Sequence, residues 1–405
     1  MTDQGAGTAP SIRAQRAWVA IALVMASACV AQAFGRFTWG LVLPGARDDL
    51  LGGSNSLAGF FGTLNVTAYL IGTLAVSWAA SRLTLVHLMR TGLVISTTAL
   101  GLASIAPSGP ILGASLFAMG FGGAIIWIPA PAIASRVLPP ERTGLAVGFI
   151  GSGIGIGILI SGQLTRVLGA DGVAGDSSST EVWQQVYRVE FLLALLVLVA
   201  AFFFLRSTGD QPGSSGGFGG FGALRSVRGW VALTVAYASF GFSYILVIAF
   251  LVARLEDDAG FTTDEAAAMF SLVGVATVVG GMVLGPLSDR IGRRLTLVMA
   301  FTVFSGCTLL FLSGSQPWVA LAAFGIGAMF SGMPSLVVAH VVDHTTPATY
   351  GPAFSAATLA FGVTQMVSPQ IGGAIADLSG SFTLVFILSA SVSLVGAVAS
   401  SRLPK

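Results

Sequence analysis

A chain of 405 residues that is 54% hydrophobic and only 9% charged carries far fewer charges than the roughly 25% of a soluble domain, which excludes a water-soluble fold. A formal net charge of +2 leaves no basic surface suited to a nucleic acid. The two cysteines, Cys29 and Cys307, provide neither a disulfide framework nor a metal-ligand spacing, so no metal and no other cofactor is expected.

A membrane-crossing helix takes about 20 mostly apolar residues. About twelve such runs follow one another, at roughly 17–44, 57–80, 88–106, 110–135, 143–168, 187–205, 229–253, 266–288, 295–313, 317–342, 351–376 and 380–401. Runs such as FLLALLVLVAAFFFL (191–205) lack the alternation of a membrane barrel strand, so the expected fold class is an all-α polytopic membrane protein. The first run follows Arg13 and Arg16 and has the outline of a signal peptide. It continues to Pro44 and has a counterpart later in the chain, so it is expected to remain as the first helix.

Near the end of that run, AFGRFTWGLVLP (33–44) sets Arg36 among apolar residues. An arginine at the centre of a lipid-facing helix costs roughly 2.5–3.5 kcal/mol on insertion scales, so it should face a partner, a cavity or a ligand. Residues three and four apart share a helical face, which puts Cys29, Gln32, Arg36, Trp39 or Gly40, and Leu43 on one stripe. The second run offers Asn65, Tyr69 and Thr73 at the same spacing, the seventh Tyr237 and Tyr244, and the eleventh Thr358, Gln365 and Ser368. No aspartate or glutamate is expected deep inside a run; Glu190, Asp343 and Asp377 fall near run ends. Three readings of Arg36 follow. It forms a gate with Glu190, Asp377 or a loop acid; it is left unpaired for an anionic ligand, whose carboxylate suits the planar guanidinium; or it bonds only to helix carbonyls.

With the N-terminus placed inside, the inner segments hold Arg13, Arg16, Arg82, Arg90, Arg136, Arg142, Arg206, Arg225, Arg228, Arg290, Arg293, Arg294, Arg402 and Lys405. The outer ones hold only Arg47, Arg166, Arg188 and Arg254. That bias predicts both termini in the cytoplasm. The polar, Gly/Ser-rich stretch after residue 205 reads as a flexible linker. The expected organisation is a tail at 1–16, a six-helix bundle at 17–205, a cytoplasmic linker at 206–228, a second six-helix bundle at 229–402 and a tail at 403–405. The halves also repeat: FG at 34–35 recurs at 240–241, Gly120, Gly122 and Pro129 recur as Gly325, Gly327 and Pro334, and SGQL (161–164) recurs as SPQI (368–371).

Parallel six-helix repeats are the architecture of major facilitator transporters, which bind substrate near the midplane between the halves. The chain resembles that superfamily over almost its whole length, most specifically at GPLSDRIGRR (285–294), which fits its G-x-x-x-D-R-x-G-R-R motif. The resemblance implies that Gly285, Asp289, Arg290, Gly292, Arg293 and Arg294 latch the cytoplasmic side in the outward-facing state. The first-half copy is degraded, AASRLTLVHLMR (79–90), with Ser81 where the aspartate belongs. Leu116 stands where the superfamily's fourth helix usually has arginine, and the fifth helix, GFIGSGIGIGILISG (148–162), lacks the G-P-x-x-G-G signature of many drug/proton antiporters. These glycines read as close-packing positions. The FGRF…LP pattern (34–44) is also similar to the YbfB/YjiJ-type bacterial branch.

In the superfamily, helices one, two, seven and eleven line the central cavity. The resemblance therefore implies a substrate site made of Arg36, Gln32, Trp39, Asn65, Tyr69, Tyr237, Tyr244 and Gln365. Glu190 and Asp377 are the proton-coupling candidates; His340 and His344 are spaced for one helical face but lack enough partners for a metal. The expected function is a monomeric secondary transporter in the bacterial cytoplasmic membrane, not an enzyme, moving a small molecule, first of all an organic anion, by alternating access with ion coupling. Efflux of drugs or amphiphiles is the alternative, and a non-transporting sensor with the same fold the more remote one.

Overall fold

The computed structural model describes residues 9–80, 82–137, 143–174, 179–205 and 221–404. Ser81, Arg142, Arg206, Lys405 and most of the Gly/Ser-rich segment lie outside the described residues. Among those described, all regular structure is helical. Eleven helices are long and apolar enough to cross a membrane, and the 33-residue helix Pro347–Ser379 takes the place expected for the eleventh run.

Helix α1 runs from Ala9–Ala28 through Cys29–Phe37 into Thr38–Leu50; α2 is Asn55–Ala79, α3 Leu85–Ala103, α4 Gly109–Trp127 with its continuation Ala130–Val137, α5 Thr143–Ala174 and α6 Ser179–Phe204. After the short helix Phe221–Ser226 come α7, Trp230–Ala253 with the added turn Arg254–Asp258, then α8 Thr263–Ile291, α9 Arg293–Phe311, α10 Trp318–Asp343, α11 Pro347–Ser379 and α12 Thr383–Ser400. Local chemistry sets the ends. The Ser54 hydroxyl accepts from the Leu57 N–H at the start of α2, and Thr262 and Glu265 form a capping box at the start of α8. Gly292 ends α8 at φ 89°, a left-handed value that strains any residue with a Cβ.

Two segments expected to be polar connections are helical at one end: α1 begins at Ala9, and Phe221–Ser226 buries Leu224.

The helices form two sets of six, α1–α6 and α7–α12, joined along three seams: α1 with α7, α2 with α11, and α5 with α8. Small residues make the seams close. A Cβ at Gly40 would overlap Ile248 O, one at Gly59 would overlap Pro369 O, and one at Gly373 would overlap Asn55 O. Calling the side with both chain ends the terminus face and the other the far face, these contacts lie toward the far face. At the terminus-face ends of α5, α8 and α11, by contrast, a Cβ at Gly148, Gly151, Gly285 or Gly351 would meet open space. The structure is thus closed on its far face and parted on its terminus face.

The α5–α8 seam gives a direct test. A Cβ on Gly274 would stand 2.6 Å from Leu159 N and 2.7 Å from Gly155 O, both backbone atoms that cannot swing away. Gly274→Ala is expected to lower stability of the far-closed form by about 1–3 kcal/mol, the usual cost of overpacking. Increased labelling of a single cysteine on the far face, with a lower thermal midpoint, would report it.

Candidate functional site

The site starts from an irregularity in α1. Cys29–Phe37 is wound as a π-helix, closed by the Thr38 N–H bonding to Ala33 O five residues back. A π-turn advances each residue less around the axis than an α-turn and is frequent at functional sites. The stripe expected from α-helical spacing is therefore split. Cys29 turns toward Gly157 of α5, Trp39 donates to Ala58 O of α2 at 3.2 Å, and Gln32 and Arg36 face the seam between the two sets. The sequence carries no proline or charge pair that marks the π-winding; Gly35 is its only local hint.

Arg36 joins the halves. Its Nη2 donates to Gln365 Oε1 of α11 at 2.5 Å, and Gln365 Nε2 donates to the Tyr244 hydroxyl of α7 at 2.6 Å. On the other side, Gln32 Nε2 donates to the Tyr69 hydroxyl at 3.3 Å, and the guanidinium carbon lies 5.1 Å from the centre of the Tyr69 ring and 5.6 Å from that of Phe37, within cation–π range. Arg36 Nε is buried with no hydrogen-bond partner. Among the described residues no carboxylate pairs with Arg36. A cavity of ≈ 20 Å³ adjoins it on the far side, walled by Phe37, Trp39, Gly62, Asn65, Ile245 and Pro369.

The remaining expected site residues fall into two roles. Asn65 is buried and uses both amide hydrogens on backbone, Gly35 O and Leu116 O at 2.8 Å each; it clamps α1, α2 and α4 at the π-turn. Tyr237 is stacked on Phe361 at 4.3 Å, part of a ladder with Phe354, Phe240, Tyr244 and Phe330 that stiffens the α7–α10–α11 wall.

Glu190 requires a correction. It was expected near a helix end, because the apolar run starts at Tyr187, yet α6 begins at Ser179. The polar turns STEVWQQV (179–186) are helix too, so Glu190 lies eleven residues in, about 16 Å along the axis. It is fully buried, and its Oε1 accepts hydrogen bonds from Thr38 of α1 at 2.7 Å and Ser161 of α5 at 2.6 Å. Asp377 is different: near the exposed end of α11, it accepts from the Asn55 and Ser56 N–H groups at 2.9 and 2.8 Å and from the Ser54 hydroxyl at 3.2 Å. It caps the N-terminus of α2 from the opposite half, where a helix end favours negative charge.

The far-face closure also contains a pair that spacing alone did not reveal. Arg47, 6% exposed, bonds Asp257 of the other half through Nη1 at 2.5 Å and Nη2 at 3.2 Å, while its other bonds go to Asp48 and Asn55. Arg166 of α5 reaches Asp264 of α8 at 3.0 Å. These acids and arginines were legible only as loop charges. In the latch motif, Arg293 pairs with Asp289 at 2.6 Å and with Asp343 at 3.3 Å, and bonds the Ser288 hydroxyl. These contacts stay within the second half. Arg290 is exposed, and Gly285 faces open space. His340 and His344 stack on each other at 4.3 Å.

Two six-helix sets meeting around a polar midplane site define a major facilitator transporter. The chain belongs to the family described as "Uncharacterised MFS-type transporter YbfB", whose model matches residues 28–401. Family and fold point to a transporter rather than an enzyme. Among curated proteins it is similar to the "Probable sulfoacetate transporter SauU" of Cupriavidus necator, 29% identical over 187 residues, 43% of this chain and 42% of that protein. It is also similar to "Myo-inositol transporter 3C" of Cryptococcus neoformans, 24% identical over 132 residues, 32% of this chain and 22% of that protein. The chain thus matches less than half the length of each. Its fold resembles the Escherichia coli xylose transporter XylE in a partially occluded inward-open conformation, with TM-score 0.72, 16% identity and coverage of 95% and 97%. A bacterial homologue of the human lysosomal transporter Spinster, inward-facing and unoccupied, gives TM-score 0.68, 16% identity and coverage of 98% and 95%.

Proposed function

We propose that the protein carries a small organic anion across the bacterial cytoplasmic membrane by alternating access, coupled to an ion, with Arg36 as the anion anchor and both termini in the cytoplasm. The observation that carries this reading is a mid-membrane arginine with no carboxylate partner among the described residues, one guanidinium nitrogen unbonded, at the junction of both halves. An oxyanion there replaces the Gln365 amide with a charge-assisted pair. Hydroxyls of Tyr69 and Tyr244 and the amides of Gln32 and Gln365 stand beside it as further donors. The Cupriavidus relative is named a probable sulfoacetate transporter, and sulfoacetate is an organic anion. The arginine bias supports placing the terminus face in the cytoplasm, and on that reading the structure is the inward-open member of the cycle.

A thermal-shift screen on the purified chain tests this, because a ligand stabilises the state that it binds. Carboxylates and sulfonates, sulfoacetate among them, are expected to raise the midpoint. Stabilisation by amphiphilic cations alone would overturn the anion reading. It would favour efflux of aromatic or amphiphilic compounds, for which the Tyr237–Phe361–Tyr244 ladder is the supporting observation.

For the latch, whose role belongs to the outward-facing state, Asp289→Asn is expected to weaken closure of the terminus face and raise the inward-open population about two- to fivefold, the scale of an exposed charge pair of about 0.5–1 kcal/mol; the Arg293 pair of the present state lies within the second half and is not itself that closure. Cysteine accessibility on the two faces measures it; unchanged labelling would remove the latch role from Asp289.

A further inference from the structure

We propose that Glu190 is the proton-binding site of the transport cycle, placed behind the substrate opening between α1, α5 and α6, and that the carboxyl carries its proton in this far-closed state. The proposal rests on the alternating-access reading above.

The geometry fits a neutral acid. Both hydroxyl donors, Thr38 and Ser161, bond the same oxygen, Oε1, and they lie 3.0 Å from each other. Oε2 is buried and has no partner. That is the pattern of a carboxylic acid, whose carbonyl oxygen accepts and whose other oxygen holds hydrogen. An ionised carboxylate at 0% exposure would have neither water nor a counter-charge, which is strongly unfavourable in a membrane interior. Arg188 of α6 is exposed, and the other described basic groups on the packed elements are engaged elsewhere. Arg36 of α1 bonds Gln365, Arg47 bonds Asp257, Arg166 of α5 bonds Asp264, and Arg90 of α3 bonds the carbonyls of Ala201, Phe202 and Leu205. Cys29 of α1 and Tyr187 of α6 interact with Glu190, and neither supplies a positive charge.

Position gives this carboxyl leverage. Thr38 is the first residue after the π-turn that orients Arg36. Ser161 precedes Gly162, which lies against Ser271 of α8 in the seam that closes the far face. On release, the Oε2–H bond breaks, the proton passes to water and the electron pair stays on the carboxylate. The new charge then draws hydroxyls and water toward both oxygens, pulling on the two helix segments that hold the anion site and the far-face seam. Reprotonation relaxes that pull and permits the far-closed packing.

The test uses the full-length chain with Cys29 and Cys307 replaced by serine, reconstituted in lipid nanodiscs, in wild-type and Glu190→Gln forms. The glutamine retains an oxygen that accepts from Thr38 and Ser161, so a purely structural glutamate would be replaced without consequence. Infrared difference spectra are expected to show a buried protonated-carboxyl band at neutral pH that disappears at alkaline pH and is absent from E190Q. Labelling of a far-face cysteine should rise several-fold with pH in the wild type and stay flat in E190Q. Absence of the band at every pH, or equal pH-dependence of labelling in both forms, would overturn the proposal. The wild-type infrared titration decides by itself if E190Q does not fold. Asp257→Ala separates the two levels: far-face labelling that opens in D257A but ignores pH in the wild type rejects Glu190 and leaves alternating access standing, whereas no opening in either rejects both.

Discussion

Arg36→Ala is expected to abolish binding of the transported anion, and Arg36→Lys to weaken it on the order of a hundredfold, about 2.8 kcal/mol. Lysine retains the charge but loses the planar fork that holds an oxyanion through two hydrogen bonds. Stability should change little in either variant, because no acidic side chain is stranded; the groups released are the Gln365 carbonyl and the ring faces of Tyr69 and Phe37. Isothermal titration with the anion identified by thermal shift, beside a melting curve of each variant, measures both quantities. Intact affinity in Arg36→Ala would end the anchor assignment. A large stability loss recovered by neutralising Glu190 would instead show a structural pair that forms in another state.

The second large effect belongs to the far-face gate. Asp257→Ala removes two hydrogen bonds to the Arg47 guanidinium, yet Arg47 keeps Asp48 and Asn55 from its own half. The loss therefore falls on closure between the halves rather than on folding. A hydrogen bond to a charged group contributes about 1.5–3 kcal/mol. Asp257 is partly exposed, so a net effect of about 1.4 kcal/mol, a tenfold rise in the far-open population, is expected. Spin labels across the far face would measure the distance distribution. Arg47→Ala alone should match the double variant, since each removes the same bond between the halves; independent additive effects would contradict a shared gate.

Composition and local chemistry account for part of this protein. Apolar run length and the scarcity of charge required a helical membrane protein, because lipid offers no partner to an unbonded backbone. GPLSDRIGRR, with its neighbouring repeats, identified the two-bundle fold, and Gly292 could be assigned to a turn because only glycine adopts its φ without strain. The polar residues on the first, second, seventh and eleventh helices group around Arg36 because the resemblance to major facilitators puts those helices at the cavity, while α-helical spacing selects the residues that share a face. Tertiary structure decided the rest. The π-turn at Cys29–Phe37 depends on packing against α4 and α5, so it sent Cys29 and Trp39 away from Arg36 against the expected periodicity. Asn65 became a backbone clamp because carbonyls of two other helices lie within its reach. Glu190 moved from a run end to mid-membrane because apolarity marks the lipid-crossing stretch and not the helix, whose earlier turns include the buried Val182, Trp183 and Val186. The Arg47–Asp257 and Asp377–α2 contacts join residues more than 200 positions apart. Such pairings follow from how the two helical sets lean together, and charge at a loop position carries no record of which distant group it will meet.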